Sequence, residues 1–464
     1  MLITKFMRNA YAKWCTAIIL AMIVYLVIPL NELITWQMRI FLTITFFAIE
    51  LMAMDLIDML LFGLLLPGLY LIFNVASPEI VYSSWNNNML FMILGAFILS
   101  NIMEEVGLLK RIAYFLLKVS GGSFNKFIYT LFFVCIIVNF MTFTNSYIIM
   151  ATLILGVCTT LGYSNISKEA SILFIAGYLG NITTKLYIYF PGYNGLIQEG
   201  LNAAVGGYLI HWYTNFIYNW PIIIFSLLFI YGMCKFLKVS DTAVQFDHGK
   251  EYFSEQYQAL GKMSMKEKKT AGVFLLLLVF LFLSPMHNIP IDYVFMLVPI
   301  ILYLPGIAVG TDSALKKCNF KLLFFMAACL SIGKIGSYLG VSDLFAQLIV
   351  PLLDGKSPVL ILFLAYIFGM VANIFMTPVA ILATFIAPLA SAAADFGISP
   401  LVMTMSLLNS VDALFFPYES GTALAYCGFG ILAMPKIIKI FLIKLCAFTA
   451  FLLVVLIPYW LIIF

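Results

Sequence analysis

Asn139, Thr142, Thr144, Asn145 and Ser146 interrupt an otherwise apolar run, NFMTFTNSYIIMATLILG, between Asn139 and Gly156. Asparagine both donates and accepts, and a hydroxyl either donates to a carboxylate or accepts toward a cation such as Na⁺. A Thr-Asn-Ser triplet in greasy surroundings therefore has the chemistry to hold a small anion, Na⁺, or both. Two further stretches carry chemistry where hydrocarbon is expected. GYLGNITTKLY holds Thr183, Thr184 and Lys185, and NSVDALFFPYESGTA holds Asp412, Glu419, Ser420 and Thr422. Ionisable side chains at membrane depth are costly and mark functional sites by default. A Lys185–Glu419 pair across the two stretches would combine a fixed positive charge with a proton or cation site; the plainer alternative is a structural ion pair that never titrates.

The elements that must position these residues are membrane helices. Of 464 residues 64% are hydrophobic and 10% charged, against about 25% charged in soluble domains. The eight cysteines form no CxxC pair and read as small buried hydrophobes. The three histidines, His211, His248 and His287, show no ligand spacing, so no metal centre is expected. The first apolar run, Trp14 to Leu30, lacks a small-residue cleavage site and reads as a span rather than a signal peptide.

Spans are predicted at about 14–30, 37–54, 57–75 and 87–106, with the N-terminus in the cytoplasm because Lys5, Arg8 and Lys13 precede the first. The Asn145 stretch has roughly fifteen apolar residues on either side of its polar break, short of the roughly 20 that a spanning helix needs. It reads as a re-entrant hairpin, 127–162, or as one long tilted helix whose hydroxyls bond to its own carbonyls. A broken span begins near Glu169, and an aromatic-rich external segment at 191–216, with Trp212, Tyr213 and Tyr218, is expected at the membrane interface. A sixth span (217–236) leads to a lysine-rich cytoplasmic linker, 237–269.

The second half repeats the order: spans, a basic turn at Lys316 and Lys317, a span carrying Lys334, a hairpin at 358–394 broken around Asn373, Thr377 and Pro378, a broken span at 400–430, and a last span. Glu50, Asp55 and Asp58 near a span end are expected at an interface or in a short turn, and Lys334 to snorkel or pair locally. The fold expected is an all-α polytopic membrane protein with about eleven transmembrane helices and two re-entrant hairpins. Residues 1–86 are N-terminal scaffold spans, 87–236 a first repeat and 270–464 a second. NFMTFTNSYIIMATLILGVCTTLGYS and NIFMTPVAILATFIAPLASAAADFGIS share a start, an ending and a length, and their hairpins enter from opposite faces. Paired interrupted segments in inverted halves point to a midplane substrate site and alternating access.

Three stretches carry a resemblance to a known family: LGAFILSNIMEEVGLLKRIAYFLLKVSG, YQALGKMSMKEKKTAGVFLLLLVF, and the hairpin triplet Thr144-Asn145-Ser146, which resembles a signature Ser-Asn-Thr. Together they are similar to the divalent anion:sodium symporter family, carboxylate and sulfate carriers of the wider ion-transporter superfamily. The resemblance implies a homodimer with a scaffold and an elevator-like transport domain, whose hairpin tips hold Na⁺ and one end of a dianion. It places substrate contacts on Thr144, Asn145 and Ser146, with Thr377 as the polar substitute at the second tip, where Pro378-Val379-Ala380 replaces the signature. It places Ser420, followed by Thr422, where the family has a substrate-contacting threonine. The resemblance also puts the coupling ion at Thr144 and Asn145, and the polar and charged residues of the interrupted spans, Thr184, Lys185, Asp412 and Glu419, are further coupling-ion candidates on their own account.

The expected function is secondary transport of a small divalent anion of the C4-dicarboxylate, citrate or sulfate type, coupled to Na⁺ or to H⁺ or a counter-anion. A sodium–proton antiporter or an arsenite-type permease of the same superfamily is the alternative, and a membrane-embedded enzyme a more distant one. No cofactor is expected beyond Na⁺ as coupling ion, and no nucleic-acid partner. The partners are a small anion, the lipid bilayer of the inner (plasma) membrane, and a second copy of the chain.

Overall fold

A computed structural model describes residues 10–54, 56–86, 88–118, 124–142, 146–239, 253–287, 289–341, 344, 355–374 and 376–464. Inside hydrocarbon every backbone N–H and C=O must find its partner within its own segment, so the apolar runs become helices. The first four are α1 (Ala10–Val27), α2 (Trp36–Ala53), α3 (Met59–Ile72) and α4 (Asn88–Glu105). The amphipathic α5 (Leu108–Lys118) leads to the helix pair α6 (Phe124–Thr142) and α7 (Ser146–Thr160), then to α8 (Lys168–Asn181), α9 (Pro191–Val205) and α10 (Pro221–Phe236). The second half contains α11 (Met265–Phe282), α12 (Ile291–Leu297, continued as a 3₁₀ turn to Tyr303), α13 (Phe320–Tyr338), the pair α14 (Pro358–Ala372) and α15 (Pro378–Asp395), α16 (Pro400–Ser410), α17 (Gly421–Gly428) and α18 (Met434–Phe451).

The chain is an all-α polytopic membrane protein. α1–α4, α10–α13 and α18 are nine continuous spans, and α8/α9 and α16/α17 are two interrupted ones, which makes eleven among the described residues. Among the described residues five helices are long and apolar enough to cross a bilayer on length and composition alone: those containing α4, α13 and α18, and the helix-pair arms α6 and α15. Start signals sit where the sequence puts them. Thr35, Asp58, Ser167, Asn319 and Thr377 each cap a helix by accepting from the backbone N–H three residues on.

α8 packs along α6, α14 along α16, and α13 against both α3 and α15. α9 corrects the sequence reading. It is the second arm of the broken span, not an interfacial strip, with Pro191 to Ile197 buried and its length laid along α15. Glycines let α9 approach both neighbours: a Cβ on Gly195 would meet the Met89 side chain of α4 at 2.3 Å, and one on Gly200 would meet Ile386 of α15 at 2.4 Å. Scarce charge and scattered aromatics resembled an interface strip; the glycine spacing was the signal for a packed helix.

Glu50 is also placed differently from expectation. It is buried inside α2, and neither carboxylate oxygen has a hydrogen-bond partner among the described residues. Asp58 does sit at a turn, capping α3 and pairing with Lys321 at 2.8 Å, whereas Asp55 lies outside the described residues. Lys334 reaches Glu199 on α9 at 3.7 Å.

Candidate functional site

An interrupted helix leaves carbonyls and N–H groups without helical partners, and these must be satisfied by side chains. α8 runs unbroken through Gly177 and Gly180, where a Cβ would strike Tyr426 and Cys135, ends at Asn181, turns once through Thr183–Leu186, and restarts at Pro191, where the missing N–H costs nothing. α16 ends at Ser410, and the chain passes through a 3₁₀ turn at Pro417–Glu419 before α17.

Asparagines tie both breaks to the helix pairs. Asn139, near the end of α6, donates its amide to Asn181 O at 3.0 Å and to the Thr184 hydroxyl. Asn373, at the end of α14, donates to Val411 O at 3.5 Å. The two occupy the same place in the matching stretches NFMT and NIFMT, and each pins the break that follows its own hairpin. Asn219 supports the first break from α10's side by donating to Leu186 O at 2.9 Å, and Asn409 donates to Asn219 in turn at 3.1 Å.

The breaks meet at Asp412, which is 1% exposed. Its Oδ2 accepts from the Thr183 hydroxyl at 2.8 Å and from Lys444 Nζ at 2.5 Å, and its backbone carbonyl accepts from the same Nζ at 2.8 Å. Lys185 Nζ lies 3.9 Å from Oδ1, the other oxygen, and 5.4 Å from the centre of the Tyr193 ring. The partner expected for Lys185 was Glu419; the structure gives it Asp412 instead. Glu419 is buried and turned to its own backbone, accepting from Phe415 N at 3.2 Å and Phe416 N at 2.9 Å. A carboxylate with two backbone donors three and four residues away has no need of a distant lysine.

The other candidate residues fall as follows. Thr183 joins the cluster directly, and Thr184 is buried, bonded to Asn181 O at 2.7 Å. Thr377 caps α15 by accepting from Ala380 N at 3.4 Å. With Asn373 and Glu419 it lines a cavity of about 90 Å³ walled by Phe62 and Phe325. Ser420 and Thr422 hydrogen-bond each other at 3.1 Å. Ser146 opens α7, and Thr144 and Asn145 lie outside the described residues. Lys444 was missed in the sequence. Its signal was a lone lysine deep in IFLIKLCAF, obscured by Lys436 and Lys439, which read as interface charges on the same helix. Among the described residues no group of three His, Cys, Asp or Glu side chains is arranged to hold a metal ion.

The arrangement can neutralise negative charge in a dry interior. Comparison with known proteins agrees with a carrier. The model of a family described as citrate transporter matches residues 44–408. No curated protein matches the sequence. Among solved structures, the YdaH transporter of Alcanivorax borkumensis, whose crystal structure is described as revealing an unusual topology, superposes with a TM-score of 0.54 at 16% identity. The match covers 84% of this chain and 88% of that one, a likeness of fold.

Proposed function

The chain belongs to the citrate transporter family, and from that premise we propose that it carries small di- and tricarboxylates across the plasma membrane by elevator-like alternating access. The observation that carries the reading is the buried meeting of two interrupted spans at a cluster with two lysines for one aspartate. Charges at this depth are tolerated where they serve a pathway. An excess of ammonium groups suits an anionic cargo rather than a cation or a neutral solute, which disfavours antiport of Na⁺ or permeation of arsenite. Four helices, α7, α9, α15 and α17, begin at the tips and breaks, and helix N-termini favour carboxylates through free N–H groups and dipole.

In this reading the two halves are inverted repeats, 87–236 and 270–464, and the chain works as a homodimer with its N-terminus in the cytoplasm. Thr144, Asn145 and Ser146 receive one end of the substrate, and Thr377, Ser420 and Thr422 the other. Coupling runs through Na⁺ at Thr144, Asn145 and Thr184. Glu419 favours a second route, by proton, because it lines a cavity beside a tip that lacks the side chains for an ion.

Uptake of labelled citrate and succinate into proteoliposomes, with and without Na⁺ and at two pH values, tests this. Accumulation of at least one carboxylate is expected, driven by a Na⁺ or pH gradient. Protein that exchanges Na⁺ for H⁺, or passes arsenite, while ignoring every carboxylate would refute it.

A further inference from the structure

We infer that Asp412 is a tethered competitor of the substrate's carboxylate, and that Lys185 is the cation passed between them while Lys444 stays with Asp412. This rests on the carboxylate-carrier reading above and deepens it.

The argument begins with a count of partners. Lys185 is 7% exposed, Lys444 5% and Asp412 1%, so none has bulk water to lean on. Lys444 satisfies Asp412 through two contacts, one to Oδ2 and one to the backbone carbonyl, and Thr183 adds a third hydrogen bond. These bonds satisfy Oδ2 and leave Oδ1 to face Lys185 alone. Lys185 is the surplus. Its Nζ makes no hydrogen bond among the described residues, and neither does Asp412 Oδ1, the oxygen that faces it. At 3.9 Å the two attract without bonding. The face of Tyr193 offers the ammonium a weak second attraction. Glu419 is not available to it, being held by Phe415 and Phe416.

A buried ammonium with three donors and no acceptor is poised for one. Lys185 directly follows Thr184, which takes the amide of Asn139 a turn before the end of α6. It therefore stands beside the first hairpin, where the anion is proposed to enter. A carboxylate arriving there can take Lys185 at full hydrogen-bond strength, whereas Asp412 holds it only loosely. When the substrate leaves, Asp412 recaptures the lysine, so the empty carrier never keeps an isolated buried charge. Such a competitor keeps affinity moderate, which a carrier needs in order to release its cargo.

Citrate counterflow in proteoliposomes, using whichever labelled carboxylate wild-type protein moves best, separates the roles. A hydrogen bond to a charged group is worth roughly a factor of 10 to 100 in affinity. Lys185→Met should therefore raise KM by about that factor. Asp412→Asn should act in the opposite direction, lowering KM and slowing turnover because substrate is released with difficulty. If Asp412→Asn leaves Lys444 too poorly paired to fold, the double variant Asp412→Asn/Lys444→Met removes that partner as well and should show the same lowered KM. A rise in KM for Asp412→Asn or the double variant, parallel to Lys185→Met, overturns the inference and makes the trio a structural ion cluster. Wild-type protein that moves no carboxylate at all overturns the functional reading and this inference with it.

Discussion

Removing Arg111 is expected to destabilise the protein far more than removing Arg111 and its partner together. Arg111 lies on α5, which is amphipathic and sits ahead of the first helix pair, and Glu267 opens α11 more than 150 residues later. Both are buried, with Arg111 Nε 2.6 Å and Nη2 3.3 Å from the two carboxylate oxygens. The guanidinium also donates to Gly261 O at 2.9 Å and Leu260 O at 3.1 Å, so one side chain fastens α5, the turn before α11, and α11 itself. Glu267 closes a capping box with Ser264, whose N–H it accepts at 2.6 Å. In Arg111→Met the buried carboxylate keeps only the cap. Orphaning one member of a buried pair costs roughly 3–5 kcal/mol, and the two lost carbonyl contacts add about 1 kcal/mol each at most. Arg111→Met/Glu267→Leu leaves no orphaned charge; the lost cap costs about 1 kcal/mol, so the double variant should lie closer to wild type than the single. Thermal and denaturant unfolding of detergent-solubilised protein measures the cycle. A single variant within about 1 kcal/mol of wild type would mean the pair behaves as a water-screened surface bridge, and the burial argument would be wrong.

The same pair, in the lysine-rich first turn of α11 ahead of its membrane-spanning apolar run, gives a pH dependence. Burial works against the Glu267 charge, but the hydrogen bonds from Arg111 and Ser264 outweigh it and hold the carboxyl below the usual range. Its contribution is therefore complete above the ordinary glutamate value of about 4.3 and is lost as pH falls through the depressed folded value; Glu267→Gln should flatten the acid limb of a stability–pH curve. Gly95→Ala would put a Cβ 2.0 Å from the backbone oxygen of Phe295, a contact that cannot yield by side-chain rotation. A loss of about 1–3 kcal/mol is expected, and an unchanged melting temperature would show that α4 and α12 are not so close. Asn139→Ala and Asn373→Ala should each depress uptake, with Asn139→Ala the more destabilising because its bond to the break is 3.0 Å rather than 3.5 Å. Unfolding and uptake measured on the same preparations test the order.

Class, spans and breaks could all be read from the chain because each depends on a local property: the length of an apolar run, a capping residue, a glycine or proline. Asn139 and Asn373 stood out as the shared start of two similar stretches before any contact was known, and each pins a break. The partners of the buried charges were not local. Glu419 was a reasonable mate for Lys185 by position in its half, yet its backbone captured it first. Asp412 won because the first break crosses the second at that residue. Lys444 arrived from a helix whose other lysines gave no hint of depth. The run 191–205 looked like a surface strip because its buried face depends on α15, distant in sequence. Hydropathy along a chain reports how much of a segment must leave water, which the order of residues alone determines. Which buried groups then touch is a matter of how helices cross, and only the tertiary structure decides that, since a charge in a dry interior binds whatever packing brings within reach.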